Sequence, residues 1–386
     1  MSIEGQVVRD IDQMLVEVAA TVGLDDFGHP SFRDGLEQLV SSARSGARLT
    51  PLGTIVLDST CRKALTNRLR VTDWCRRHPD VERQTVEAPL FILGLPRTGT
   101  TALSHLLAAD RTNRSLLAWE ANESIPPPER ATYWSDPRFE RARHEPTGAE
   151  QINPGFKAIH YDPPDMPIEC SVIMAQHFQS PTLSVLFNVE DYDDWMVAAD
   201  ATHTYQYHRQ VLQVLQSHCP GRWQLKTPAH CWFLDELVAA YPDARFVMTH
   251  RDPVRVTGSV CSLARSLSGS FTDADHTAGI AEHWPELIAT MLDHVDAFRD
   301  RNGDSRFYDM AYRDLIGDPV GAVRSLYDHF DMAWTDETER SLRDHASVHR
   351  QNRFGEHTYT LEEFGLEADA IRDRSSQYLD RFGDYV

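Results

Sequence analysis

Lysine is almost missing from this sequence. Lys63, Lys157 and Lys226 are the only three in 386 residues, so arginine carries nearly all of the positive charge. Acidic residues outnumber basic ones by 58 to 38, for a formal net charge of −20. A chain this acidic has no general attraction for anions. That excludes non-specific nucleic-acid binding and requires any anionic ligand to be held by local charge. No run of about 18 apolar residues occurs, which excludes an apolar membrane-spanning helix. The first ten residues carry charge early and lack the apolar core of a secretory signal. Six cysteines (Cys61, Cys75, Cys170, Cys219, Cys231, Cys261) show no C-x-x-C spacing. A metal cage or disulfide framework is therefore not expected, and a reducing, cytoplasmic setting is.

The order of patterns is informative. Up to about residue 85 the apolar residues recur at helical spacing: Val7, Val8, Ile11, Met14, Leu15 and Val18, then Phe32, Leu36 and Leu39. Thr50-Pro51 opens a longer helix that His78-Pro79 would stop. These helices carry no evident chemistry and read as a helical cap or a dimer surface, which admits a homo-oligomer. Four strand-then-helix units follow, with strands at Leu90–Leu93, Trp223–Lys226, Arg245–Thr249 and Arg306–Met310. This alternation predicts an α/β fold with a central, mostly parallel sheet flanked by helices. Ligands of such sheets bind at the carboxyl ends of the strands. The expected division is a helical extension over 1–87 and a main domain over 88–386. Within the latter, 120–220 forms a pocket or lid insertion that includes a helix near Met166–Phe178.

The chemistry concentrates in Gly94-Leu-Pro-Arg-Thr-Gly-Thr-Thr101, which lies between the first strand and its helix. Unpaired N–H groups at such a turn, reinforced by the helix dipole, make an anion cradle. The pattern G-x-x-x-x-G-T-T differs from a nucleotidase loop in one way. Thr100 stands where a lysine would bridge the terminal phosphates, and the cation sits earlier, at Arg97.

Pro96-Arg-Thr-Gly-Thr-Thr101 resembles the phosphosulfate loop of sulfotransferases that use 3′-phosphoadenosine 5′-phosphosulfate. His250-Arg-Asp-Pro-Val-Arg-Val-Thr-Gly-Ser259 resembles the same family's 3′-phosphate motif, with Arg251 and Ser259 eight positions apart. Leu225-Lys-Thr-Pro-Ala-His230 and Tyr312-Arg-Asp-Leu-Ile-Gly-Asp-Pro319 are similar to the bacterial branch. The resemblance covers roughly residues 88–366. It implies a P-loop-like fold and transfer of a sulfuryl group, without a metal, to a hydroxyl or amine of a small-molecule, lipid or glycan acceptor. The product would be 3′,5′-bisphosphoadenosine. In this reading Arg97, Thr98, Gly99, Thr100 and Thr101 hold the phosphosulfate, Arg251 and Ser259 hold the 3′-phosphate, and Arg353 closes over it. Lys226 joins Arg97 in a cationic clamp on the transferring group. Glu120 and His230 compete for the role of general base. Trp134, Phe156, His160, Tyr161, Phe178 and Phe187 are candidates for an acceptor pocket or for ordinary core.

Two rival readings are a metal-dependent P-loop kinase, which the missing lysine disfavours, and a non-catalytic nucleotide-binding module. The 3′-phosphate assignment has a direct test. Arg251→Ala should weaken binding of a 3′-phosphorylated adenosine nucleotide far more than of its 3′-dephosphorylated analogue, as read by calorimetry. Equal losses for both would refute it.

Overall fold

The computed structural model describes residues 10–144, 163–348 and 359–386. Three helices come first: α1 (Ile11–Val22), α2 (Phe32–Ser45) and α3 (Pro51–Arg77). Thr50 caps α3 through its side chain, which accepts from the Gly53 N–H at 2.9 Å, and Pro51 fills the first turn, where no N–H is needed. The strands are β1 (Leu90–Gly94), β2 (Asn113–Ser115), β3 (Arg222–Lys226), β4 (Arg245–His250) and β5 (Phe307–Ala311). They form one parallel sheet in the order β2-β3-β1-β4-β5. Between them run α4 (Thr100–Ala108), α5 (Ala118–Asn122), α6 (Ser171–Met174), α7 (Pro181–Phe187), α8 (Thr202–Gln216), α9 (Leu234–Ala240), α10 (Pro253–Ser268) and α11 (Thr277–Asn302). Near the end lies α12 (Ser376–Phe382).

Strand β1 shows why the sheet is covered on both faces. All five of its residues are buried, and successive side chains point to opposite sides. Phe91 and Leu93 join a core with α1, α2, α3 and α8. Leu90 and Ile92 join a second core with Leu103 and Leu107 of α4 and with Val323 and Leu326. The N-terminal helices thus pack into the same apolar mass as one face of the sheet.

Two expectations need correction. The described residues contain five strands where the sequence suggests four: Asn113–Ser115, too polar to be read as a strand, pairs with β3 along Arg114↔Trp223. Its polar composition hid it, because Arg114 is buried as an ion pair rather than as an apolar residue. The helix expected near Met166–Phe178 is shorter, an α-helical turn at Ser171–Met174 continued by a 3₁₀ turn at Ala175–His177. Pro167 bridges to Leu117, the N–H of Ile168 donates to the carbonyl of Leu116 and that of Cys170 to the carbonyl of Lys226. Residues 167–170 therefore run beside the sheet's edge, and the helix begins only at Ser171. Of the suggested aromatic pocket, Phe178 and Phe187 are fully buried core, Trp134 is exposed, and Phe156, His160 and Tyr161 lie outside the described residues.

Several histidines are buried without a charge partner. Burial holds His208 down to about 3 and drives His177 and His230 well below the usual imidazole range. His177 also faces Arg68, whose guanidinium lies 3.1 Å from its Nδ1. The unfolded chain takes up these protons below about pH 6.5 while the folded one does not, so stability is full above that pH and falls beneath it. His283, lifted by Asp193 against its own burial, works the other way. At pH 5.5 each buried neutral histidine should cost on the order of 1 kcal/mol. The melting temperature should drop by a few degrees between pH 7.5 and 5.5. A melting temperature that stays level over this interval would contradict the assignment.

Candidate active site

The site follows from strand register. Gly94 pairs with Thr249 and Ile92 with Lys226, so the turns after β1, β3 and β4 leave the sheet side by side. Position 94 has to be glycine. Its φ is +136°, and a Cβ there would lie 2.5 Å from Thr249 Oγ1 and 2.7 Å from the Thr249 carbonyl. Gly99 (φ +89°) leads directly into α4, with the Tyr312 ring 3.0 Å from where a Cβ would stand. Between them Arg97 adopts φ +69°, a left-handed conformation that costs a side-chain-bearing residue of order 1 kcal/mol or more.

Contacts to its neighbours hold this strained turn. Thr98 is fully buried; its hydroxyl donates to the Leu95 carbonyl at 2.7 Å and lies 2.6 Å from Thr249 Oγ1. The Thr98 side chain thus braces the loop, leaving only its backbone for a ligand. Arg97 Nε donates to Ser259 Oγ at 3.1 Å, and Arg251 Nη1 donates to the Arg97 carbonyl at 2.7 Å. The structure therefore brings the loop arginine together with both members of the second motif. The Arg251 guanidinium also lies over the Tyr312 ring, 4.3 Å from its centre. Among the described residues neither arginine has a carboxylate partner. Burial, and then the nearby Arg251 charge, lowers the pKa of Arg97. Two adjacent guanidiniums, a turn of backbone amides and a helix N-terminus form a strong anion site.

Lys226, 2% exposed, extends the charge. Its Nζ donates to Thr101 Oγ1 at 3.1 Å and to Glu169 Oε1 at 2.7 Å. Glu169 Oε2 accepts from Thr227 Oγ1 at 3.1 Å and from Ser171 Oγ at 3.3 Å. Glu169 is thus the carboxylate standing at the loop, and sequence reasoning missed it. The available signal was an acidic residue in the apolar stretch Met166-Pro-Ile-Glu-Cys-Ser-Val-Ile, read as one side of a helix.

Both expected bases are held by other partners. Glu120 is fully buried and gripped by Arg114, at 2.9 Å and 2.6 Å to its two oxygens. It also accepts from Tyr133 Oη and the Leu117 N–H. None of these bonds reaches the loop. These bonds seat Arg114, whose pKa Glu120 raises against the cost of burial. His230 is fully buried too, bonded through Nδ1 to Tyr205 Oη at 2.6 Å and edge-on to Phe91 in the core. Arg353 lies outside the described residues.

Strand β4 is anchored just before Arg251. His250 bonds to Asp309 at 2.8 Å and to Tyr378 at 3.0 Å, and its ring stacks on Phe382 at 4.6 Å. Asp309 also takes both Nη atoms of Arg299, and its pKa is pulled to about 2 against the effect of burial.

Comparison with known proteins agrees with this geometry. A family model described as "Sulfotransferase family" matches residues 89–336. The crystal structure of sulfotransferase STF9 from Mycobacterium avium superposes with a TM-score of 0.88 at 32% identity, covering 98% of each chain. That of STF1 from Mycobacterium tuberculosis H37Rv superposes with a TM-score of 0.86 at 31% identity, over 97% of this chain and all of the other. The omega-hydroxy-beta-dihydromenaquinone-9 sulfotransferase Stf3 of Mycobacterium tuberculosis is 25% identical over 311 residues, which are 78% of this chain and 76% of its own.

The Arg114–Glu120 pair predicts a stability effect. Glu120→Ala leaves a buried, unpaired guanidinium and should cost about 3–5 kcal/mol in urea unfolding, and pairing it with Arg114→Met should recover much of the loss. A loss below about 1 kcal/mol for the single variant would show that the pair is not the anchor described.

Proposed function

We infer the reaction from the premise that the chain belongs to the sulfotransferase family. It is a sulfotransferase enzyme, and in our reading its donor is 3′-phosphoadenosine 5′-phosphosulfate. The observation that carries this reading is the gathering of Arg97, Arg251 and Ser259 around one turn of backbone amides, with Lys226 beside it. Arg97 and the N–H groups of residues 98 to 101 are suited to the 5′-phosphosulfate, and Arg251 with Ser259 to the 3′-phosphate. Six unbonded, buried cysteines suit a reducing cytoplasm.

Sulfuryl transfer is an in-line displacement. The acceptor oxygen forms a bond to sulfur while the bond from sulfur to the bridging phosphate oxygen breaks, and 3′,5′-bisphosphoadenosine leaves. Catalysis then needs alignment, positive charge at the departing oxygen and a base for the acceptor proton. We assign the charge to Lys226 and Arg97. Glu169 is our base: its Oε1 lies 2.7 Å from the Lys226 ammonium, beside the loop. The acceptor is a hydroxyl, or an amine, of a small molecule, lipid or glycan. The name of Stf3 gives that relative a hydroxylated dihydromenaquinone, which favours an alcohol on a lipid-like molecule.

In this reading Glu169→Gln lowers kcat at least about a hundredfold while the affinity for 3′,5′-bisphosphoadenosine and cooperative unfolding stay near normal. Near-normal turnover of that variant would remove Glu169 from the mechanism.

A further inference from the structure

A groove of about 1410 Å³ runs along one face of α3. Pro51, Ile55, Asp58, Arg62, Thr66 and Arg70 line it at three- and four-residue intervals, so it spans roughly 28 Å of helix at 1.5 Å per residue. Val172, Ala175, Thr182, Leu183 and Leu186 form the facing wall. Its volume exceeds the roughly 300–1,000 Å³ typical of pockets for compact ligands.

The two ends differ in character. At the start of α3, Gly53 packs against the Phe271 carbonyl, and the Phe271 ring meets Phe187 of α7 at 5.9 Å. This end is therefore walled by Leu49, Ile55, Leu183 and Leu186. Farther along, Arg62 pairs with Glu17 and Asp58, and Asn67 bonds to Gln176 at 2.8 Å. An apolar chain laid over those ions would strip their water without replacing it, so only the first end suits one. The groove also leads toward the reacting groups. Thr182 Oγ1, on its wall, donates to Ser171 Oγ at 3.0 Å, and Ser171 Oγ donates to Glu169 Oε2 at 3.3 Å.

We propose that this groove is the acceptor channel and that it takes an elongated amphiphilic alcohol or phenol. The apolar tail lies along Leu49, Ile55, Leu183 and Leu186, and the hydroxyl reaches past Thr182 to Glu169. This assignment rests on the reading of Glu169 as the base. Ile55 and Leu52, 64% and 43% exposed, give a longer tail an apolar rim on which to continue. Helix α3 precedes residues 89–336, so an N-terminal helix supplies half of the acceptor site.

The test uses 4-methylphenol and 4-octylphenol as acceptors, with Ala175→Trp to fill the groove and Ile55→Glu to charge its rim without disturbing the core. For the unaltered protein, kcat/KM should be at least about tenfold higher for the octyl compound. Each variant should cut that advantage about fivefold or more by raising KM for 4-octylphenol, leaving 3′,5′-bisphosphoadenosine affinity unchanged. A diazirine-tagged 4-octylphenol should label residues 49–70 and 172–186. Rates independent of chain length, variants without effect, or labelling elsewhere would overturn the proposal. Labelling needs no turnover, so it decides the groove even if Glu169 is not the base. Failure to bind 3′,5′-bisphosphoadenosine or to transfer sulfate to any phenol counts against the donor reading instead.

Discussion

The mutual repulsion of Arg97 and Arg251 is the force that this structure has to contain. Two partly buried guanidiniums meet at one sheet edge, without a carboxylate among the described residues to offset them. Parallel pairing of β1 and β4 imposes the encounter, because it aligns the ends of two strands whose following turns carry Arg97 and Arg251. The contacts that hold it are neutral. Ser259 accepts from one arginine, the Arg97 carbonyl accepts from the other, and the Tyr312 ring lies under Arg251. A polyanion entering there would relieve a repulsion already present, which makes binding strong in a molecule whose net charge is −20.

The loop and both arginines were legible in the sequence because their placement depends on backbone shape. A glycine that must take positive φ, a proline at a first turn and a cation at a strand end leave a pattern within about ten residues. The strands were legible wherever they are apolar, as in Leu90–Leu93. Strand β2 was not, since its central residue is an arginine whose counterion arrives only through folding. The partners of the expected base were illegible for a related reason. Glu120 stands near the interval at which family resemblance places a glutamate, but interval alone does not say whether a carboxylate faces a ligand or an arginine. Glu169 reaches Lys226 because residues 167–170 run beside the sheet, and that course depends on long-range hydrogen bonds to Leu116 and Lys226.

The interior shows a division between two ways of burying polar groups. Arg114 and Glu120 are buried as a pair in which each satisfies the other, and Tyr133 and the Leu117 N–H complete the set. His177, His208 and His230 are kept neutral, bonded to an arginine or to tyrosine hydroxyls. The first strategy fixes orientation at the cost of desolvation; the second avoids that cost but holds only where the medium leaves imidazole unprotonated.

The stacking of Phe382 on His250 bears on how the protein is made. A ribosome that has already produced all five strands has not yet produced the partners that seat the residue beside Arg251: Tyr378, Phe382 and Tyr385 emerge only later. Until they do, His250 and Asp309 stand at a partly uncovered edge. The turn that carries Arg251 therefore gains its last packing partners only after residues 378–385 have been made.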